Sequence, residues 1–530
     1  MTDKTFAHVI VQAFFSNLYY ICVQLLNSLN NMEPWIYGVY FFFSLFYLIG
    51  RTVGMCLFGA EVHTETKIPA KILRRIPTEG WNVETERFLE LVNNQTISLT
   101  GNGYFFITRP FLLSLLGTIV TYELVLMQFN ENGSFHQAMT KILFVAQCFG
   151  VMPVIGVTCK NPTNLRFSWM SLRTIYSLIS LVAIGFYTAL TIHHSLNSKL
   201  EFVKVVPVIF YTSNLYCIFA FIRLAMQWPA LMEEWKIAET FFNNYESVPE
   251  KLNLKRKVLL VAITVGLLSF IEHALSLATL IHYAQVCPEK GDPVAALFKQ
   301  EFTQLFAYTK YSLEKGIFAQ MINTVSTFVW SYMDCFVMLI SVGLSTGFKK
   351  INTQLVAFKG KVVSEEFWHR HRTAYRRMCD LCENVDNHIS RITLVSFSNN
   401  LFFICVQLLN SLTEKDSLTH TFYFWFSLLF LIVRTLAVSL YAAEINEQAK
   451  IPIHVFRVVP RESWCLEVKR FYEEVTNDIV ALSGMKFFYL TRRLVLSVAG
   501  TIVTYELVLL QFHQDEEIEN KDPCSPLKMA

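Results

Sequence analysis

The feature that limits this chain most is a series of apolar runs about twenty residues long, the length at which a helix crosses the hydrocarbon core of a bilayer. Seven of them lie near 172–193, 205–226, 258–283, 325–346, 393–412, 420–443 and 487–512, and three more near 8–29, 35–59 and 104–129. A core folded in water would also carry more charge. Of the 530 residues, 53% are hydrophobic and 16% are charged, against roughly 25% charged in ordinary soluble domains. The expected fold is therefore all-α and polytopic, with the lipid bilayer as its first partner. The net charge of +3 is not gathered into one block, so no nucleic-acid partner is expected. The polar residues His8, Gln12, Ser16 and Asn17 interrupt the first apolar run, which does not read as a signal peptide.

The two ends of the chain repeat each other. A shift of 383 positions lays Asn17–Leu29 (NLYYICVQLLNSL) on Asn400–Leu412 (NLFFICVQLLNSL). The register continues without a gap through Arg51 on Arg434, Glu61 on Glu444, Pro69 on Pro452 and Trp81 on Trp464. It ends with Gly117–Phe129 (GTIVTYELVLMQF) on Gly500–Phe512 (GTIVTYELVLLQF). The middle of the chain has no second copy, so residues 1–129 read as a partial copy of the last three helices. A complete seven-helix unit follows at 172–530, introduced by a segment at 130–171.

Charge in the short loops orients the complete unit. Lysines and arginines gather after its second span (Lys236, Lys251, Lys255, Arg256, Lys257), after its fourth (among them Lys349, Lys350, Arg376 and Arg377) and after its sixth (Lys450, Arg457, Arg461, Lys469, Arg470), while the alternate loops hold scattered lysines. This predicts a cytoplasmic N-terminus and an extracellular C-terminus, the reverse of a G-protein-coupled receptor. The charged stretch 349–392 has helical period and reads as a cytoplasmic assembly region. The partial copy conflicts with this topology, because three spans that start inside leave residue 130 outside. The stretch 139–157 is a poor fourth span, broken by Gln147, Gly150, Pro153 and Gly156. Two tandem genes joined into one chain is the economical expectation.

The last span carries Thr504-Tyr505-Glu506-Leu507-Val508-Leu509-Leu510-Gln511-Phe512. This TYxxxxxQF pattern resembles the signature of insect gustatory receptors, and it occurs twice here. Phe144–Val157 (FVAQCFGVMPVIGV), Gln227–Trp235 (QWPALMEEW) and Glu272-His273 resemble the sugar-receptor branch. The resemblance covers residues 130–530 and implies a tetrameric, ligand-gated cation channel related in fold to insect odorant receptors. It further implies a plasma-membrane location in a gustatory neuron, an extracellular sugar as ligand and other receptor subunits as partners.

The last helix supports a pore on physical grounds as well. Thr501, Thr504, Val508 and Gln511 follow i, i+3, i+7 and i+10 spacing, which places them on one semi-polar stripe. Four such stripes around an axis would form a narrow wet path with an apolar constriction that gates by dewetting. Gln511 and Phe512 are the gate candidates. The plainer role for Gln511 is a hydrogen bond to a neighbouring helix.

A sugar pocket needs carboxylates and amides for hydroxyl groups and aromatic planes for ring faces. The spans offer Tyr211 and Asn214 on the second, Glu272 and His273 on the third, Trp330 and Asp334 on the fourth, Gln407 and Asn410 on the fifth, and Trp425 on the sixth. Asp334 and Glu272 stand out because an ionisable side chain inside a membrane is expensive, and they are expected to face water or each other. Polar contact between helices is the competing role for each of these residues. Trp425 also fits an interfacial position. Neither enzyme chemistry nor a cofactor is expected, since no nucleophile or phosphate loop accompanies Glu272-His273. The CxxC of Cys379 and Cys382 lacks the second ligand pair of a zinc site. An odorant-receptor-like channel for a non-sugar ligand and a metabotropic seven-helix chemoreceptor remain the alternatives.

Overall fold

The computed structural model describes residues 2–27, 35–73, 82–94, 98–100, 105–108, 110–111, 114–115, 134–197, 202–243, 253–286, 293–411, 418–494, 497–498, 500–501 and 504–505. The chain divides into two compact units, Met1–Glu131 and Asn132–Ala530.

The first unit contains α1 (Thr2–Asn27), α2 (Trp35–Thr66), α3 (Ile68–Leu73) and α4 (Val83–Asn94). The expected span near 104–129 begins differently: Thr100 and Phe106 form an isolated β-bridge, and helix begins only at residue 110. Residues 116–133 lie outside the described residues.

The second unit opens with α5 (Phe135–Cys148), and long helices follow: α6 (Leu172–Asn197), α7 (Phe202–Asn243) and α8 (Leu254–Val286). Two short helices, α9 (Pro293–Glu301) and α10 (Thr303–Phe306), precede α11 (Leu313–Ala357), α12 (Glu365–Ser411) and α13 (Leu418–Lys450). The short α14 (Pro452–Phe456) and α15 (Leu466–Asn477) come next. The described residues of the last span are helical from Arg492 onward. Among the described residues six helices are long and apolar enough to cross a membrane, namely α6, α7, α8, α11, α12 and α13.

Helix starts follow local chemistry. Ser134 caps α5 by accepting from the Gln137 amide, and Ser312 caps α11 by accepting from the Lys315 amide. Gly360, at φ +75°, supplies the turn between α11 and α12 that only a residue without Cβ adopts freely. With 45 and 47 residues, α11 and α12 are each about 70 Å long. Both outrun a bilayer, so the region 349–392 continues the two spans as helix on either side of that turn.

The bundle is built around α11, which packs against α7, α8, α12 and α13. In the most apolar stretch of α11, 78% of residues are buried, against 17% for α8. α11 is thus the core element, and α8 presents its surface to lipid or to other chains.

The segment before the first span is part of the core. α5 is 14 residues long, too short to cross a bilayer. Its buried face of Phe135, Met139, Ile142, Leu143 and Ala146 joins Val151, Met152, Val154 and Val157 in the core of the second unit. The Phe135 amide donates to Glu239 Oε1 at 2.8 Å, and its ring stacks on Trp235 at 3.9 Å. Gly150 at φ +73° and Met152 at φ +55° then turn the chain back on itself.

The two copies repeat contacts as well as sequence. Phe14 meets Phe105 at 5.3 Å in the first unit, and their counterparts Phe397 and Phe488 meet at 5.1 Å in the second. The bridge Thr100–Phe106 has its counterpart in Ser483–Tyr489. In the shifted alignment Asn102 and Gly103 correspond to Met485 and Lys486. The latter two have φ of +51° and +62°.

Candidate ligand site in the helix bundle

The polar residues expected inside the spans fall into three connected groups. The first surrounds Asp334, which is fully buried. Its partner is Arg434 from α13, with Nε 2.8 Å from Oδ2. The Ser396 hydroxyl donates to Oδ1 at 2.5 Å and the Asn400 amide to Oδ2 at 3.0 Å, both from α12. Arg434 Nη1 donates to Ser331 Oγ at 3.0 Å. A carboxylate and a guanidinium in a low-dielectric bundle neutralise each other, which neither can do alone. Asp334 thus faces Arg434 rather than water or Glu272.

The second group is aromatic. Trp330 lies one turn from Asp334, as the spacing of four predicts. The Arg434 guanidinium carbon is 4.6 Å from its ring centre. Phe403 lies 4.8 Å and Phe210 5.9 Å from the same ring. Tyr211, the neighbour of Phe210, donates to Asn323 Oδ1 at 3.3 Å and meets Tyr187 edge-on at 4.8 Å. The Tyr187 hydroxyl accepts from Gln304 of α10 at 2.6 Å. Asn214 is buried and donates to the Phe210 carbonyl at 2.8 Å.

The third group brings Glu272 and Gln407 together through a residue the sequence reading did not select. Gln407 Nε2 donates to Ser427 Oγ at 3.1 Å, and Ser427 donates to Glu272 Oε1 at 2.8 Å. The Tyr423 hydroxyl adjoins Ser276 and Ser427. Phe403 and Gln407 are four apart on α12 and share a face, so the aromatic and polar groups meet along that helix. Trp330 Nε1, Asn214 Oδ1 and Gln407 Oε1 are buried without a protein hydrogen-bond partner. Such atoms are the contacts a polyhydroxylated ligand can satisfy.

The remaining candidates differ in burial. His273 is half-buried, whereas Asn410 and Trp425 are exposed. Thr501 and Thr504 are exposed on the single chain, and their hydroxyls donate to the carbonyls of Ser497 and Gly500 at 3.0 and 2.9 Å. Val508, Gln511 and Phe512 lie outside the described residues.

The basic end of the unit is held by a different network. Arg372 of α12 binds Glu467 at 2.7 Å and Glu474 at 2.9 Å on α15, and Arg376 adds a contact to Glu474 at 3.0 Å. The hydrogen bond from Arg372 holds the Glu467 carboxyl below its ordinary value of 4.5. Cys379 and Cys382 line a recess of about 440 Å³ between α12, α15 and the turn that carries Lys486 and Tyr489. Burial and the surrounding carboxylates push the Cys382 thiol up, away from the thiolate that binds metals.

Comparison with known proteins agrees with this architecture. A family model described as trehalose receptor matches residues 1–134 and again residues 128–524. The gustatory receptor for sugar taste 64f of Drosophila melanogaster is 46% identical over 394 residues, which is 74% of this chain and 84% of the relative. The gustatory receptor 5a for trehalose from the same organism is 39% identical over 401 residues, 76% of this chain and 89% of the relative. The solved insect olfactory receptor OR5 from Machilis hrabei superposes with a TM-score of 0.52 at 13% identity, covering 71% of this chain and 97% of that one. The chain is a multi-pass membrane protein with the insect olfactory receptor fold, and it belongs to the trehalose receptor family, the sugar-sensing branch of the insect gustatory receptors.

Proposed function

We propose that residues 132–530 form a cation channel opened by an extracellular sugar that binds within the bundle. One observation carries this reading. In a chain whose relatives are named as sugar taste receptors, the aromatic planes of Trp330, Phe210 and Phe403 adjoin the polar chain Glu272–Ser427–Gln407. A pyranose presents an apolar ring face to the planes and hydroxyls to the amide and carboxylate, which is the pairing of groups such a ligand requires. Tyr211, Asn214 and His273 extend the polar lining, Asp334 supports it from beneath, and Asn410 and Trp425 mark its rim.

The channel is a tetramer of this unit or of this unit with relatives, set in the plasma membrane with its N-terminus inside. The last helices line the pore with Thr501, Thr504 and Val508, and Gln511 and Phe512 form the gate. The first unit lacks counterparts of α6 to α11 and hence of Tyr211, Glu272, Trp330 and Asp334, so it does not bind sugar in this way.

The test is sugar-evoked current in cells expressing Trp330→Ala or Glu272→Gln, with surface protein quantified by biotinylation. The expected result is loss of the response at normal surface levels. Wild-type responses from both variants would overturn the pocket.

A further inference from the structure

We propose that Arg434 is a positioning residue for the sugar pocket: anchored by Asp334 and Ser331, it sets the plane of Trp330. The inference rests on the sugar-gated reading above and assigns a role to a residue that never meets the ligand. Arg434 is 3% exposed and Asp334 fully buried, and their charges are turned to each other, 2.8 Å apart, rather than to the Glu272–Ser427–Gln407 chain. Their contacts run instead to three helices: Ser331 and Trp330 on α11, Ser396 and Asn400 on α12, and Phe430 on α13, whose ring centre is 5.2 Å from the guanidinium.

Stability alone does not explain this arrangement. A buried ion pair is often replaced by apolar side chains of similar volume without loss of stability. An apolar replacement does not reproduce a planar cation beside the Trp330 and Phe430 rings, held by an ion pair to a carboxylate and a hydrogen bond to a hydroxyl. Trp330 Nε1 has no protein partner, so the rotation of this ring decides where a buried donor points and which plane a sugar ring would meet.

The duplicated part of the chain separates two roles within the network. The counterparts of Arg434 and Asn400 are Arg51 and Asn17, and these bind each other directly. The Arg–Asn contact is therefore a tie between two helices that needs no acid. The counterpart of Ser396 is Ala13, and the first unit has no counterpart of α11. The Ser396 hydroxyl and the Asp334 carboxylate occur only in the copy that also contains Trp330. In the second unit Asn400 donates to Asp334 instead and its Oδ1 has no protein partner, so the acid takes the place of that direct tie and sets α11 against Arg434.

Full-length protein is expressed in cells, and concentration–response curves for a sugar panel are recorded from wild type, from Arg434→Gln combined with Asp334→Asn, and from Arg434→Lys. The double variant removes both charges and leaves none unpaired. Its half-maximal sugar concentration is expected to rise roughly tenfold, the scale of a desolvated cation–π contact, with the maximal current per surface receptor retained. Adding Trp330→Phe to the double variant should shift the curve less than it does in wild type, because the ring is already released. A merely structural role would lower the maximal current and leave the half-maximal concentration in place. Arg434→Lys keeps the charge that Asp334 needs and loses the plane, so it gives the same reading if the double variant does not reach the surface. An unchanged half-maximal concentration in the variants that reach the surface, or independent shifts from Arg434 and Trp330, would overturn the inference while sugar gating stands. A wild type silent to every sugar would remove both.

Discussion

Substituting Gly343 by alanine tests whether the segment before the first span is part of the receptor core. Gly343 sits on α11 where α5 and α7 converge. A Cβ there would lie 2.6 Å from Phe135 Cε2 and 2.7 Å from Trp235 Cζ2, whereas ordinary contacts lie at 3.4–4 Å. Both rings are stacked and buried, so both must give way by close to an ångström. Overpacking of this kind costs about 1–3 kcal/mol. Spreading the aromatic pair forfeits about 0.5–1.5 kcal/mol, and disturbing the Phe135 amide bond to Glu239 costs about 1 kcal/mol more. The better helix propensity of alanine returns about 1 kcal/mol, so the net loss is about 3 kcal/mol. Gly266 on α8 has nothing within 4 Å of its Cβ position, and Gly266→Ala, the same chemical change, should stabilise slightly. Thermal unfolding in detergent, followed by fluorescence-detected gel filtration, should show Gly343→Ala melting several degrees below Gly266→Ala. Phe135→Leu should recover part of the loss, because the two sites share one contact. Equal melting temperatures for the two glycine variants would refute the packing argument.

Two further outcomes test the basic end. Because Arg372 holds Glu467 below 4.5 in the folded protein, the stabilisation from this tie is complete above that pH and is lost as the pH falls through the lowered value. The difference in melting temperature between wild type and Glu467→Gln should persist down to pH 5 and close below pH 4.5; a gap that closes near neutrality would contradict the tie. Met485→Asn with Lys486→Gly gives the turn the residues found at Asn102 and Gly103. This double variant should raise stability by about 1 kcal/mol, since left-handed backbone costs an ordinary side chain about 1–2 kcal/mol; a lower melting temperature would show that the two side chains contribute more than the strain costs.

The spans were legible because lipid leaves no alternative to a continuous apolar helix, although α11 starts at Leu313, well before the apolar run near 325–346. Outside the bilayer that constraint ends. The extensions of α7 to Asn243 and of α11 to Ala357 therefore left only charge and helical period as signals. The start of the last span was misplaced for the opposite reason. Phe487-Phe488-Tyr489-Leu490 is as apolar as a span, yet Leu490 and Gly484 bond back to Leu482 and Phe488. Asn102-Gly103 in the first copy was the legible mark of that turn. Asp334 stands out in the sequence as an intramembrane charge, and the same rule applied to Arg434 supplies its partner, since one buried charge calls for an opposite one. Ser427 carried no comparable signal, because a serine in a span is inexpensive and its link between Glu272 and Gln407 exists only in three dimensions. Trp330 and Phe403 likewise meet through tertiary packing between α11 and α12, which no spacing along one helix reports.

The central claim is that this chain itself conducts when sugar binds, and the most direct measurement is current across a reconstituted bilayer that contains only purified residues 132–530. Cation current is expected to rise with sugar concentration, without nucleotides or G proteins present, and to fall away in Trp330→Ala. A bilayer that stays silent to every sugar, from protein whose fold is confirmed by its cooperative melt, would contradict it.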